Sequence, residues 1–151
     1  MEKIDIMKKY NIYCGTNKIN EIIILIKSLF SLNSFVDKKI INDYEKKFSL
    51  LSRQKFSFSF GSGRMSLYCG LKALGVKPGD EIIIPAFTCV VVPNAILYLK
   101  AKPIYCDITY KDFNIDLKKI KKLINKKTKA IYIQHTFGYP CDISLIKNLC
   151  K

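Results

Sequence analysis

Apolar and polar positions change rhythm along this chain, and from Lys55 onward the rhythm becomes regular. Phe56-Ser57-Phe58-Ser59-Phe60 alternates with period two and predicts a strand. Gly61-Ser62-Gly63 interrupts it, after which Leu67, Leu71 and Leu74 fall at helical spacing and predict a helix over residues 65–74. The segment Gly75 to Asp80 carries the Gly and Pro punctuation that ends a helix. A continuous apolar run then predicts a buried strand over 81–85, followed by a helix from about Cys89 to Leu99 that Pro93 makes irregular near its start. Strands over 103–107 and 130–134 bracket an amphipathic helix over 116–125, and Asp142 opens a last helix running to Cys150. Strand and helix alternate with short connections. That order predicts an α/β fold with a parallel or mostly parallel sheet flanked by helices, right-handed crossovers, and ligands at the carboxyl ends of the strands.

The first part of the chain reads differently. Tyr44, Phe48 and Leu51 sit at helical spacing among charged residues, so residues 1–55 are expected to form a helical segment with loops. The apolar run from Ile22 to Leu32 is broken by Lys27 and is too short to span a bilayer, which predicts a buried or interfacial helix. Two regions are therefore expected, 1–55 and 56–151, with no internal repeat or linker.

Composition changes this picture little. Of the 151 residues, 49% are hydrophobic and 25% charged, as in globular domains. The net charge of +14 raises the question of a nucleic acid partner. Its lysines (118, 119, 121, 122, 126 and 127 among them) are dispersed over helix-like stretches, and no basic arm or aromatic platform accompanies them, so no specific nucleic acid partner is expected. The six cysteines are irregularly spaced, mostly beside apolar residues, and form no CxxC pair, which reads as reduced, buried thiols. One histidine, His135, cannot build a His-rich metal site. Residues 1–10 are charged throughout and carry no secretory signal, so a cytoplasmic location is expected.

The strongest local feature is Phe60-Gly61-Ser62-Gly63-Arg64-Met65-Ser66-Leu67, a small-residue turn ahead of a helix. Glycines admit close approach of an anion, a helix N-terminus offers free N–H groups, Ser62 can cap, and Arg64 can add full charge against a phosphate. A plain turn into a helix satisfies the same residues. Ser66 stands where a dinucleotide fingerprint needs its third glycine, and the Gly-Lys-Ser/Thr ending of a Walker loop is absent here.

Three segments, GSGRMSLYCGLKALGVKPGDEIIIPAFT, NAILYLKAKPIYCDI and FNIDLKKIKKLINKKTKAIYIQHTFGYPCDI, with a weaker DYEKKF ahead of them, resemble the DegT/DnrJ/StrS family of sugar aminotransferases over residues 42–151. The resemblance implies a fold-type I enzyme dependent on pyridoxal 5'-phosphate, usually a homodimer in full-length form. Its substrate would be a nucleotide-linked keto-sugar, its donor glutamate, and its place polysaccharide biosynthesis; a minority of the family are dehydratases. Residues 56–151 would then be an incomplete cofactor-binding large domain. Gly63 and Arg64 would hold the cofactor phosphate, Arg64 replacing the more usual threonine hydroxyl by a cation. Cys89 stands where an aromatic residue usually stacks on the pyridine ring, although an ordinary buried cysteine explains it equally well. His135 to Gly138 matches a loop near the cofactor, with a structural histidine the preferred role for His135. Gly79-Asp80-Glu81 and Asp107 are read as turn and fold determinants. The carboxylate that pairs with the pyridinium nitrogen and the Schiff-base lysine belong to later family segments, so no catalytic residue is nominated and the chain alone is expected to be inactive. Half of a split enzyme, a remnant of a decayed gene and a non-catalytic anion- or nucleotide-binding domain are the alternatives.

Overall fold

A computed structural model describes residues 19–30 and 37–150. The chain divides into two compact units, Met1–Ser57 and Phe58–Lys151. In the first, α1 (Ile19–Leu29) and α2 (Lys38–Leu51) are the described elements. Asp37 caps α2, its carboxylate accepting from the Lys39 and Ile40 amides, which satisfies N–H groups that a helix start leaves without partners. Neither helix contains a buried residue. Residues 1–18 and the continuation of the apolar run to Leu32 lie outside the described residues.

The second unit contains α3 (Gly63–Ala73), β1 (Glu81–Pro85), α4 (Val91–Tyr98), β2 (Lys102–Cys106), α5 (Leu117–Leu123), β3 (Thr128–Ile131) and α6 (Ile143–Leu149), with a short 3-10 turn at Thr136–Gly138. The three strands form one parallel sheet in the order β2-β1-β3. Glu81 pairs with Lys102 on one side and Thr128 on the other, with a register shift between Glu81 and Ile82 on the β3 side. Being central and covered on both faces, β1 is buried throughout, as its unbroken apolar run requires. Within it, Ile82 and Ile84 pack with Leu71, Val76, Val92, Ile96 and Ala101 on one face, where α3 and α4 lie. Ile83 faces the other way, into Cys106, Ile115, Ile120, Cys141 and Ile146 beside α5 and α6. The period-two alternation of the strand thus divides one run of isoleucines between two cores.

Caps and turns punctuate these elements as the sequence expects. Gly75 (φ 75°) ends α3 in a Schellman arrangement: its N–H donates to Lys72 O and the Val76 N–H to Leu71 O, while Val76 and Leu71 pack together. Asp80 accepts from the Lys77 amide in the following turn, and Asp116 and Asp142 cap α5 and α6. Buried Glu81 accepts from Asn125 Nδ2 at 2.8 Å. Exposed Lys119 pairs with Asp107, and this hydrogen-bonded ammonium holds the Asp107 carboxyl below its ordinary range. Lysines 118, 119, 121, 122, 126 and 127 are all exposed.

Two local expectations are corrected. Phe56–Phe60 forms no strand, and its three phenylalanines are exposed. Alternation supplies one apolar face but not the neighbouring strand whose N–H and C=O groups make a ladder, and none pairs with this segment among the described residues. The cysteines are also less uniformly buried than expected: Cys106 and Cys141 are buried, but Cys89 and Cys150 are exposed.

Candidate functional site

The loop Gly61-Ser62 enters α3 with Ser62 in extended backbone (φ −159°, ψ 154°), its Oγ accepting from Met65 N at 3.3 Å. This is a serine N-cap, and it leaves other first-turn N–H groups of α3 available to an anion. A Cβ built on Gly61 or Gly63 would meet no atom within 4 Å, so the backbone here borders open space. Arg64 Nε is buried and has no hydrogen-bond partner. An orphaned guanidinium nitrogen needs an acceptor, because leaving a buried polar group unpaired costs on the order of 1–3 kcal/mol. Arg64, Ser62, Met65, Tyr68 and Tyr98 line a cavity of about 580 Å³.

A second group of side chains gathers at the carboxyl ends of β1 and β3. Thr88 Oγ1 donates to Gln134 Oε1 at 2.8 Å, and Gln134 Nε2 donates to Thr136 Oγ1 at 3.3 Å. The Thr136 hydroxyl in turn donates to Phe113 O, and its amide donates to Asn114 Oδ1 at 3.0 Å. Asn114 is buried and completes the chain by donating from Nδ2 to Tyr139 O. These bonds tie together the loop after β2 and the turn after β3, where Phe113 (φ 57°) and Phe137 (φ 53°) occupy left-handed backbone that branched or bulky residues rarely adopt. Phe87, Phe113 and Phe137 then stack as a triangle of rings with centroids 5.9 to 6.0 Å apart. The separations are those of favourable aromatic pairs.

The four residues singled out from the sequence fall into two places. Gly63 and Arg64 open α3. Cys89 lies just before α4, exposed, and its thiol adds to the burial that pushes the Tyr132 phenol up. His135 follows β3, and its Nδ1 accepts from Cys141 N at 3.0 Å, so the proton of the neutral ring sits on Nε2. Cys89 and His135 therefore belong to the strand-end group, while no hydrogen bond joins Arg64 to it. Thr88, Asn114, Gln134 and Thr136 were not picked out from the sequence. Their signal was present only as polar residues placed at strand ends, among the quoted segments but without a distinctive spacing. Among the described residues no cluster of His, Cys, Asp and Glu could hold a metal ion, and no helix is long and apolar enough to cross a membrane.

The profile of the DegT/DnrJ/EryC1/StrS aminotransferase family matches residues 18–151, and the chain belongs to that family. It is 34% identical over 112 residues to a GDP-perosamine synthase of Vibrio cholerae, covering 74% of this chain and 30% of that protein. It is 30% identical over 135 residues to the 3-oxo-glucose-6-phosphate:glutamate aminotransferase of Bacillus subtilis, covering 89% of this chain and 31% of that protein. Among solved structures, the pyridoxal phosphate form of a putative sugar aminotransferase of Streptococcus pneumoniae superposes with a TM-score of 0.76 at 27% identity, over 85% of this chain and 32% of that one. The chain thus spans about a third of the length of the relatives it matches. The α/β architecture is that of the fold-type I aminotransferases, and pyridoxal phosphate is the cofactor the family implies. The opening of α3 fits the phosphate end of that group, on the strength of the open backbone at Gly61 and Gly63 and the unpartnered Arg64 Nε. Cys89 offers no aromatic face to its ring.

Proposed function

We propose that this chain forms the cofactor-phosphate-holding part of an aminotransferase that acts on a nucleotide-linked keto-sugar with glutamate as amino donor, in a form that is a homodimer at full length. The observation that carries the reading is the buried, unpartnered Arg64 Nε beside the open first turn of α3. Pyridoxal phosphate, when bound, supplies an electron sink for cleavage of bonds at an amine-bearing carbon.

The chain's own residues do the holding. Backbone N–H groups from Gly63 and Arg64 and the guanidinium of Arg64 would hold the phosphate dianion, with the dipole of α3 adding attraction. Thr88 and Gln134 hold the ends of β1 and β3 together at the side where a parallel sheet receives its ligand. His135, engaged at Nδ1 by Cys141 N, keeps one tautomer and presents a single ring donor at Nε2. Cys89 would supply no aromatic ring to stack on the cofactor.

The same reading expects no transamination by the chain alone, which covers 30% of the length of the Vibrio cholerae relative. A test must avoid the aldehyde, because the chain's many lysines invite adventitious imines. Calorimetric titration with pyridoxamine 5'-phosphate and with pyridoxamine separates the phosphate contribution. The phosphorylated amine should bind at least tenfold tighter, and Arg64→Ala should remove most of that difference. Equal affinity for the two compounds would overturn the phosphate assignment. Keto-sugar turnover by the isolated chain would overturn the expectation of inactivity.

A further inference from the structure

Charge is distributed unevenly between the two ends of the sheet. The segments that leave the strands and enter the next helix carry Lys111, Lys118 and Lys119 against Asp107, Asp112, Asp116 and Asp142. The ion pairs of Lys119 with Asp107 and Asp116 lie there. The connections that lead into the strands are the reverse. Lys77 precedes β1, Lys100 precedes β2 and Lys102 begins it, and Lys126 and Lys127 precede β3. Lys72 lies in the last turn of α3, and Lys121 and Lys122 in that of α5. All eight are exposed, and none forms an ion pair among the described residues. The acids beside them are Asp80, whose carboxylate accepts from the Lys77 amide, and buried Glu81, bonded to Asn125. Lysines in a last turn offset the negative end of a helix dipole, which accounts for Lys72, Lys121 and Lys122. It does not account for the five on the connections and at the start of β2.

We propose that the amino-terminal end of the sheet is a membrane-contact face, by which the chain docks peripherally on a bilayer containing anionic lipid. Backbone hydrogen bonds hold the lysine-bearing connections side by side. Gly79 N donates to Lys100 O at 3.0 Å, Lys102 N to Asp80 O at 2.8 Å, and Glu81 N to Lys127 O at 2.8 Å. Adjacent strands lie about 4.8 Å apart, inside the roughly 8 Å over which physiological salt screens a charge, so the fields of neighbouring lysines add. Each lysine close to an anionic leaflet strengthens attachment about fivefold. The side chains present favour a bilayer over a nucleic acid. The three connections contain neither arginine, whose planar fork suits bidentate phosphate contacts, nor an aromatic ring on which a base could stack. They do contain Leu74, 65% exposed, and the exposed Ile124, which gain from an apolar interface and nothing from a phosphate backbone. Docking by this end leaves the carboxyl ends of the strands, with Thr88, Gln134 and Thr136, turned to water. The attachment is independent of the cofactor assignment.

The test is flotation of the full chain with vesicles of phosphatidylcholine, alone or mixed with phosphatidylglycerol. The chain should float with the mixed vesicles only, and high salt should release it. Lys77→Glu with Lys126→Glu should weaken the partitioning at least about tenfold. Lys77→Gln with Lys126→Gln, which neutralises the same positions and keeps the test alive if the reversed pair misfolds, should weaken it severalfold. Lys111→Glu with Lys118→Glu changes net charge as much as the first pair but at the other end, and should leave partitioning within about twofold. Indifference to phosphatidylglycerol would overturn the proposal. So would equal loss from the two reversed pairs, which would make net charge the cause, or no loss from the substitutions at Lys77 and Lys126, which would place the contact elsewhere in the chain. Binding to an RNA duplex tighter than to the mixed vesicles at the same ionic strength would name nucleic acid as the partner instead.

Discussion

Helix α1 of the first unit and the central strand β1 of the second both carry runs of isoleucine, yet they use them in opposite ways. Ile22, Ile23, Ile24 and Ile26 in α1 are each at least 44% exposed, whereas Ile82, Ile83 and Ile84 in β1 are completely buried. Both runs carry a string of isoleucines. Hydrophobicity alone therefore does not place a residue inside; a partner layer on each face does. In β1 the layers are α3 and α4 on one side and α5 and α6 on the other.

Mutations can break this contrast. Ile83→Ala removes a fully buried side chain from the α5–α6 core and should destabilise the chain by about 2–5 kcal/mol. Chemical denaturation should show a large fall in midpoint, and an unchanged midpoint would contradict the packing described. Asn114→Ala should come next. It leaves the Thr136 amide and the Tyr139 carbonyl without their partner, at a cost of roughly 1–3 kcal/mol, and near-ultraviolet dichroism of the aromatic triangle should weaken with it. Asp142→Ala removes the cap of α6 and should cost about 1 kcal/mol.

The smaller effects sharpen the comparison. Burial, together with Asp116 and Asp107 nearby, pushes the Cys106 thiol up to about 11 from 9.0. A folded-state value raised above the unfolded one favours folding below the unfolded value, and that contribution is lost as pH rises. Thermal stability should therefore decline between pH 9 and 11, and Cys106→Ala should blunt that part of the decline. At neutral pH a thiol reagent should label the exposed Cys89 and Cys150 well before Cys106. Smallest of all, Ile23→Lys on exposed α1 should change stability by no more than about 0.5 kcal/mol. A much larger loss would show that α1 is covered in solution.

The sheet was legible because its signals are local. Period, caps and the Gly75 stop predict the strands and helices of residues 63–150 to within a few residues, and the glycine turn before α3 marks itself by composition. The strand expected over Phe56–Phe60 failed because pairing is a property of a neighbour, which no local period can report. The network through Thr88, Asn114, Gln134 and Thr136 was hidden for a related reason. It joins residues up to 46 positions apart, and each of them alone is an unremarkable polar side chain.

The order of the strands has a consequence for how the chain is made. The central strand β1 comes first in sequence, and its partners β2 and β3 follow one helix and two helices later. Emerging from a ribosome at about 5–20 residues per second, Ile82-Ile83-Ile84 waits seconds for its second neighbour. Until β3 emerges, this most apolar of the described strands keeps at least one edge open. Synthesis, more than the finished fold, is therefore where this chain is most exposed to aggregation, and slow translation between β1 and β3 should lower the yield of soluble protein.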